Sequence, residues 1–375
     1  KLFSMLREDG LRCCILKGQG NALMYPNPYS RTPGDIDVWI HASRERIIEY
    51  ASKKFELEDD IRLQHLETSL DGVPVELHFF PCSMNNPIYH ARLQKWFRRN
   101  ADLQCSHIVG LPDGAGDIAI PTTAFNVIYQ LMHLYHHFFD EGIGMRQIID
   151  YFLVVNDFSK NVFLNNDLSN PSVNFSNHPV PLSKEGSTFS PSPSSSGSGD
   201  VTAPSWCSEP LRSKDGGPSK VSPNCAGWDR RGVSGDTGSV SCSSGSSITS
   251  VSSAFTTDSS ASTALDVVQR ELKYLGLWKF AGAVIFVLHE VLGLAEDKMI
   301  VPIDEKRGRL LLAEILDGGN FGRHFTKYAG FTHQSMRKKY FLKIWRNMHF
   351  ARYYPAEALC EPLFRTWHFF WRMKN

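Results

Sequence analysis

Between about Asn156 and Thr263 the chain changes character, and Ser, Gly, Pro, Thr and Asn dominate, as in Ser190-Pro191-Ser192-Pro193-Ser194-Ser195-Ser196-Gly197-Ser198-Gly199. Such a stretch buries too little apolar surface to offset the entropy of ordering it. Folding must therefore happen on either side of it. The reading is a first folded part over 1–155, a disordered insertion over 156–262 serving as a flexible linker, and a second folded part over 263–375. A length of 375 residues, beyond what one core comfortably serves, agrees with two folded parts.

The first part alternates strand and helix signals. Leu11–Lys17 is a short apolar run ending at Gly18, and Asp35–Ile40 alternates polar and apolar residues; both predict strands. Ser43–Lys54 has helical spacing. Arg62–Leu70 and Val73–Phe80 flank Asp71-Gly72, a type I′ hairpin signal that predicts an antiparallel pair at a sheet edge. Helical periodicity then runs from Thr122 to Val155 with a break at Gly142-Ile143-Gly144. After the insertion, Ala264–Leu294, Asp304–Leu316, Gln334–Tyr353 and Ala356–Arg372 all read as helices. The expected class is α+β: a mixed sheet flanked by helices, then a mostly α-helical C-terminal region.

Composition excludes little but narrows the partners. The formal net charge of +1 gives no global attraction to nucleic acid or membrane. The most apolar window, Leu275–Ala295, is interrupted by Lys279, His289 and Glu290 and predicts a buried helix rather than a membrane span. Eight cysteines show no zinc-type spacing and read as reduced thiols. Residues 1–16 lack the apolar stretch of a signal peptide, so a cytoplasmic location is the expectation. Lys1 in place of Met suggests an upstream segment.

Chemistry concentrates in Gly34-Asp35-Ile36-Asp37-Val38. Acids two apart on a strand project from one face, and carboxylates held that close repel unless a cation lies between them. Mg²⁺ suits such a pair, being a hard ion that takes oxygen ligands and is commonly completed by phosphates. Val75-Glu76-Leu77-His78 offers a third acid whose strand neighbours face the core. Asp35, Asp37 and Glu76 are thus the candidate catalytic and metal-binding triad, able in principle to hold two ions for an in-line displacement at phosphorus. A lone Asp-x-Asp is common on solvated strand ends, so the surrounding sequence matters.

Cys14-Ile15-Leu16-Lys17-Gly18-Gln19-Gly20, a strand entering a Gly-rich turn, precedes the acids. Together with Arg31, the Gly34-Asp35-Ile36-Asp37 and Val75-Glu76-Leu77-His78 segments, and Gly142-Ile143-Gly144-Met145-Arg146-Gln147-Ile148-Ile149-Asp150-Tyr151, it resembles an uncharacterised bacterial nucleotidyltransferase family within the DNA polymerase β-like superfamily. Asp317-Gly318-Gly319-Asn320-Phe321-Gly322 and Tyr353-Tyr354-Pro355-Ala356-Glu357 extend the resemblance past the insertion. It implies NTP and Mg²⁺ as cofactors, with transfer of a nucleotidyl group to an acceptor it does not name: a small molecule, sugar or macromolecule. Lys17, Gly18, Gly20 and Arg31 are then expected near the phosphates, and Arg146 is expected to shape the site. The turn departs from the superfamily in lacking a Gly-Ser pair.

Alternatives stay open. One is a nucleotide-binding scaffold without turnover, and another is an RNA-modifying transferase. The latter draws on the C-terminal basic and aromatic residues, including Lys343, Arg346, Trp345 and Trp367; a buried aromatic stripe with a solvated basic face explains that pattern more simply. His133 and His137, four apart, read as structural histidines, and Arg146 with Asp150 as an ion pair.

Overall fold

The structure, a computed structural model, describes residues 1–57, 61–164, 259–318 and 336–374. Helix α1 (Leu2–Glu8) leads into strand β1 (Cys13–Ile15), the short helix α2 (Gly18–Ala22), strand β2 (Ile36–Ile40), helix α3 (Arg44–Lys54) and the hairpin β3 (His65–Leu70) and β4 (Val73–His78). Asp71 and Gly72 both take positive φ, 53° and 77°, as the type I′ turn requires. Four strands form one mixed sheet in the order β1-β2-β4-β3, with β2 and β4 parallel and the other two pairings antiparallel. The hairpin therefore supplies both an interior strand and the sheet's edge.

Alternation along the strands splits the sheet into two faces. Cys13, Ile15, Val38, Ile40, Leu66, Val75 and Leu77 form a core with Leu2, Phe3 and Leu6 of α1 and with Ile47 and Ala51 of α3. Cys14, Leu16 and Trp39 belong instead to a larger core that holds helices α4 (Pro87–Ser106) and α5 (Thr123–Asp140). Between those two helices a small hairpin, β5 (Ile108–Gly110) with β6 (Asp117–Ala119), stands apart from the main sheet.

The larger core runs on through α6 (Met145–Leu164), α7 (Ser259–Tyr274), α8 (Trp278–Leu292) and α9 (Glu305–Gly318) to Phe350, Tyr354 and Ala358. All described residues lie in one compact unit. Helix occupies both ends of the segment read as a disordered insertion: α6 runs to Leu164, with Val154, Val155 and Phe158 carrying its buried stripe beyond 153, and α7 begins at Ser259. The remainder of that segment lies outside the described residues.

One long helix expected over 264–294 is two, because Gly276 takes φ +75° between α7 and α8 and a side chain there would meet the Tyr89 ring. Three further helices, α10 (Met336–His349), α11 (Pro355–Ala358) and α12 (Glu361–Lys374), complete the order. Among the described residues no helix is long and apolar enough to cross a membrane. Phe280–Leu288 of α8 is buried in the core, as its sequence predicts.

Candidate active site

The sheet face toward α4 and α5 is apolar at Cys14, Leu16 and Trp39 but charged where β2, β4 and β3 lie side by side. Asp37 of β2 pairs in register with Glu76 of β4, and Glu76 pairs with Glu67 of β3. One step along, Trp39 pairs with His78 and His78 with His65. A row of three carboxylates thus adjoins a row holding two imidazoles. Asp35 precedes β2 by one residue, and its carboxylate still converges: ligand oxygens of Asp35, Asp37 and Glu76 all lie within 4.8 Å of one another.

Two built-in cations meet these acids. Lys17, just after β1, places Nζ 3.1 Å from Asp37 Oδ2 and donates to His133 Nε2 of α5 at 2.9 Å. His78, 2% exposed, sets Nε2 at 3.1 Å from both Asp37 Oδ1 and Glu76 Oε2. Burial by itself would raise the pKa of Asp37, but Lys17 and the His78 bond outweigh it and hold the carboxyl well below its usual range. Burial likewise opposes protonation of His78, yet its bonds to Asp37 and Glu76 raise it to about 9. Asp35, exposed yet partly desolvated beside Asp37, shifts upward. Three carboxylates against two cations leave an excess negative charge where the oxygens converge.

Gly18 adopts φ +48° and lies 4.0 Å from the Asp35 carbonyl by its would-be Cβ, so the turn after Lys17 is folded against the acids. Gly20 packs on Ile120, which a methyl group there would press at 3.0 Å. Arg31 is committed elsewhere, with Nη2 and Nε donating to the Asp150 carboxylate at 2.9 and 3.1 Å beside the Tyr25 hydroxyl. That pairing replaces the expected Arg146–Asp150 ion pair. Arg146 instead donates to the Thr32 carbonyl at 2.7 Å and approaches Gly34, bracing the loop that delivers Asp35. His137 lies partly buried next to His133, and loss of solvation together with its neighbours lowers its pKa to about 3.

Residues 1–169 match the family described as uncharacterised nucleotidyltransferase. That segment is similar to the members of this family. No curated protein and no solved structure matches the chain.

The matched segment carries its three acids on the face that α5 covers, and residues beyond 169 border the same helix. Asp140 at the end of α5 receives Lys343 Nζ at 2.9 Å and Arg365 Nη2 at 3.2 Å. The expected buried aromatic stripe is only partly present: Phe350 is buried, whereas Trp345, Phe341, Trp367, Phe369 and Phe370 are all more than half exposed. Arg346, expected on a solvated face, is buried. The cause is that α10 and α12 turn their wider apolar surfaces away from the core and direct Lys343 and Arg365 inward to Asp140.

Sequence reading passed over His65 and the partner role of His78. A signal was present: His65-Leu66-Glu67 and Glu76-Leu77-His78 mirror each other about Asp71-Gly72. A two-residue hairpin places mirrored positions opposite one another, and one face then collects all four polar side chains.

Proposed function

We propose that this domain is a Mg²⁺-dependent nucleotidyltransferase that moves a nucleoside monophosphate from an NTP to an acceptor hydroxyl. The observation carrying this reading is the convergence of Asp35, Asp37 and Glu76 within 4.8 Å on a nucleotidyltransferase-family domain. Oxygen donors with surplus negative charge fit a hard divalent ion. When bound, Mg²⁺ supplies charge neutralisation for the phosphates and lowers the pKa of the attacking hydroxyl.

The chain's own groups do the rest. Asp35 and Asp37 hold ligand oxygens in place, while Glu76, fixed through its bond with His78, orients the acceptor hydroxyl and takes its proton. The acceptor oxygen forms its bond to the α-phosphorus as the α–β bridging P–O bond breaks, and pyrophosphate departs with that electron pair. Lys17, reaching in from the Gly18–Gly20 turn, meets the phosphates once they compete for its ammonium. Arg31 and Arg146 act on the loop ahead of Asp35.

The test is pyrophosphate release from each NTP with Mg²⁺ over a panel of hydroxyl acceptors. Asp35→Asn and Asp37→Asn should each lower turnover by roughly 10²–10³-fold while the fold persists. Absence of release over the whole panel, together with unchanged NTP binding in Asp35→Asn, would remove the basis for the proposal. Pairing of Asp37 with Lys17 and His78 favours one second reading, a domain that binds nucleotide without turnover, and binding with no release in the same assay identifies it.

A further inference from the structure

Next to the three acids lies a second donor set of different chemistry. His65 Nδ1 is 3.5 Å from Glu76 Oε2, His78 Nε2 is 3.1 Å from the same oxygen, and ligand atoms of all three residues fall within 4.8 Å of one another. His65 is 12% exposed, and neither of its buried ring nitrogens makes a hydrogen bond. A buried imidazole left so costs free energy, since two polar atoms have lost water and gained no partner. Its nearest polar neighbours are acids, Glu76 and, 3.6 Å from Nε2, Glu67.

We propose that His65, His78 and Glu76 form a second metal site, selective for a borderline divalent ion of the Zn²⁺ and Co²⁺ class, which shares Glu76 with the carboxylate triad. Two imidazoles and one carboxylate suit such ions, whereas the all-oxygen triad suits Mg²⁺. The hairpin fixes the spacing, because His65 and His78 are cross-strand partners with ring centroids 5.0 Å apart.

Capture of the ion releases one proton and leaves the site one positive charge richer, set against the surrounding carboxylates. The proton on His78 Nε2, now held between Asp37 and Glu76, leaves to solvent as the metal takes that lone pair, and Nδ1 keeps its own proton. Gln64 stands next to Nδ1 with its amide nitrogen at 3.4 Å. Turning that carboxamide over brings its oxygen to accept Nδ1–H and its NH₂ to face Ser83 Oγ, 3.4 Å from the present oxygen position, at the cost of the bond that Nε2 now donates to the Pro81 carbonyl at 3.1 Å. A hydrogen-bonded second nitrogen of this kind orients a metal-bound imidazole.

The experiment titrates the full chain with Co²⁺ in saturating Mg²⁺, following the visible ligand-field band and calorimetric stoichiometry. One equivalent should bind with a spectrum typical of imidazole ligation. His65→Leu should weaken it beyond the roughly 10–100-fold that loss of even an outer partner costs. This variant removes an unpartnered imidazole, so its thermal midpoint in chelator should match or exceed the parent's; a folded variant makes the binding result decisive. Asp35→Asn, which alters only the triad, should leave the Co²⁺ band in place, so failure of the nucleotidyl-transfer reading and failure of this one are separable. The proposal is overturned if no equivalent binds, or if Co²⁺ binding survives His65→Leu and is lost in Asp35→Asn.

Discussion

Raising the pH past the titration of His78 removes the proton that joins Asp37 to Glu76, and the structure fixes the sign and scale of the resulting loss of stability. Burial opposes charging this imidazole, but its two carboxylate bonds prevail, lifting it from 6.5 to about 9. A group whose folded pKa lies above its unfolded one stabilises the fold fully below the unfolded value, and that contribution disappears as pH rises through the folded value. The window is therefore 6.5 to about 9, and the gap corresponds to about 3 kcal/mol. His78→Gln keeps an amide N–H near the position of Nε2 but cannot titrate.

Urea unfolding in chelator at about pH 6 and about pH 10 should show the parent losing about 3 kcal/mol more than His78→Gln. Glu357, which burial raises to about 7, also titrates near this range, but it is common to both proteins and cancels. Saturating Mg²⁺ should shrink the difference, because a cation at the triad competes with the His78 proton for the same oxygens. Equal losses in parent and variant would refute the assignment of a charged His78 between the two acids.

Other consequences can be checked alongside. Arg31→Ala strips a buried partner from Asp150 and should cost about 3–5 kcal/mol of stability, which the double replacement Arg31→Leu/Asp150→Leu should largely restore; reduced NTP affinity with unchanged unfolding would instead return Arg31 to phosphate binding. Glu357 accepts from the backbone amides of Asn85 and Asn86, one on each oxygen, so Glu357→Ala should lower stability by about 1–3 kcal/mol per orphaned amide, while Glu357→Gln, whose single carbonyl oxygen can accept only one of the two amides, should recover only part of that loss in the same unfolding assay. Gly276→Ala must hold φ +75° and press on Tyr89 at 2.7 Å; strain of about 1–2 kcal/mol plus overpacking of about 1–3 kcal/mol should lower the thermal midpoint.

Much of the sheet was legible because strand and turn chemistry are local. Asp71-Gly72 specified its own turn, and the Asp35, Asp37 and Glu76 segments showed acids embedded between apolar neighbours, a pattern a solvated loop has no reason to keep. Helix α4 went unread even though Asn86 caps it through Ile88 and Tyr89, Pro87 occupies its first turn, and Leu93, Trp96, Phe97 and Ala101 make its buried stripe. Its many charged residues masked a periodicity that was present. The break at Gly276 was hidden for the opposite reason: apolar residues on both sides continue the pattern and mask a lone glycine, whose positive φ, with the Leu277 amide donating back to the Leu272 carbonyl, ends the helix locally.

Site partners were the least legible. Lys17 could be placed near the acids by its turn, yet its bond to His133 spans 116 positions and depends on how α5 crosses the sheet. Arg31 and Asp150 are similarly joined over 119 positions. Such pairings come from tertiary packing, for which spacing along one strand or helix holds no information. His65 and His78 were the exception, because a two-residue hairpin converts a mirror in sequence into proximity in space.

Trp39 gives the molecule an optical property as well as a packed core. The indole sits at the register position paired with His78, is 3% exposed, and stacks on Phe125 with an interplanar angle of 12° while Phe97 leans against it. A chromophore held in one orientation beside other rings is a source of near-ultraviolet circular dichroism, and this one adjoins both the acid row and the imidazole row. Cations or nucleotides that rearrange His78 should therefore be visible without any label.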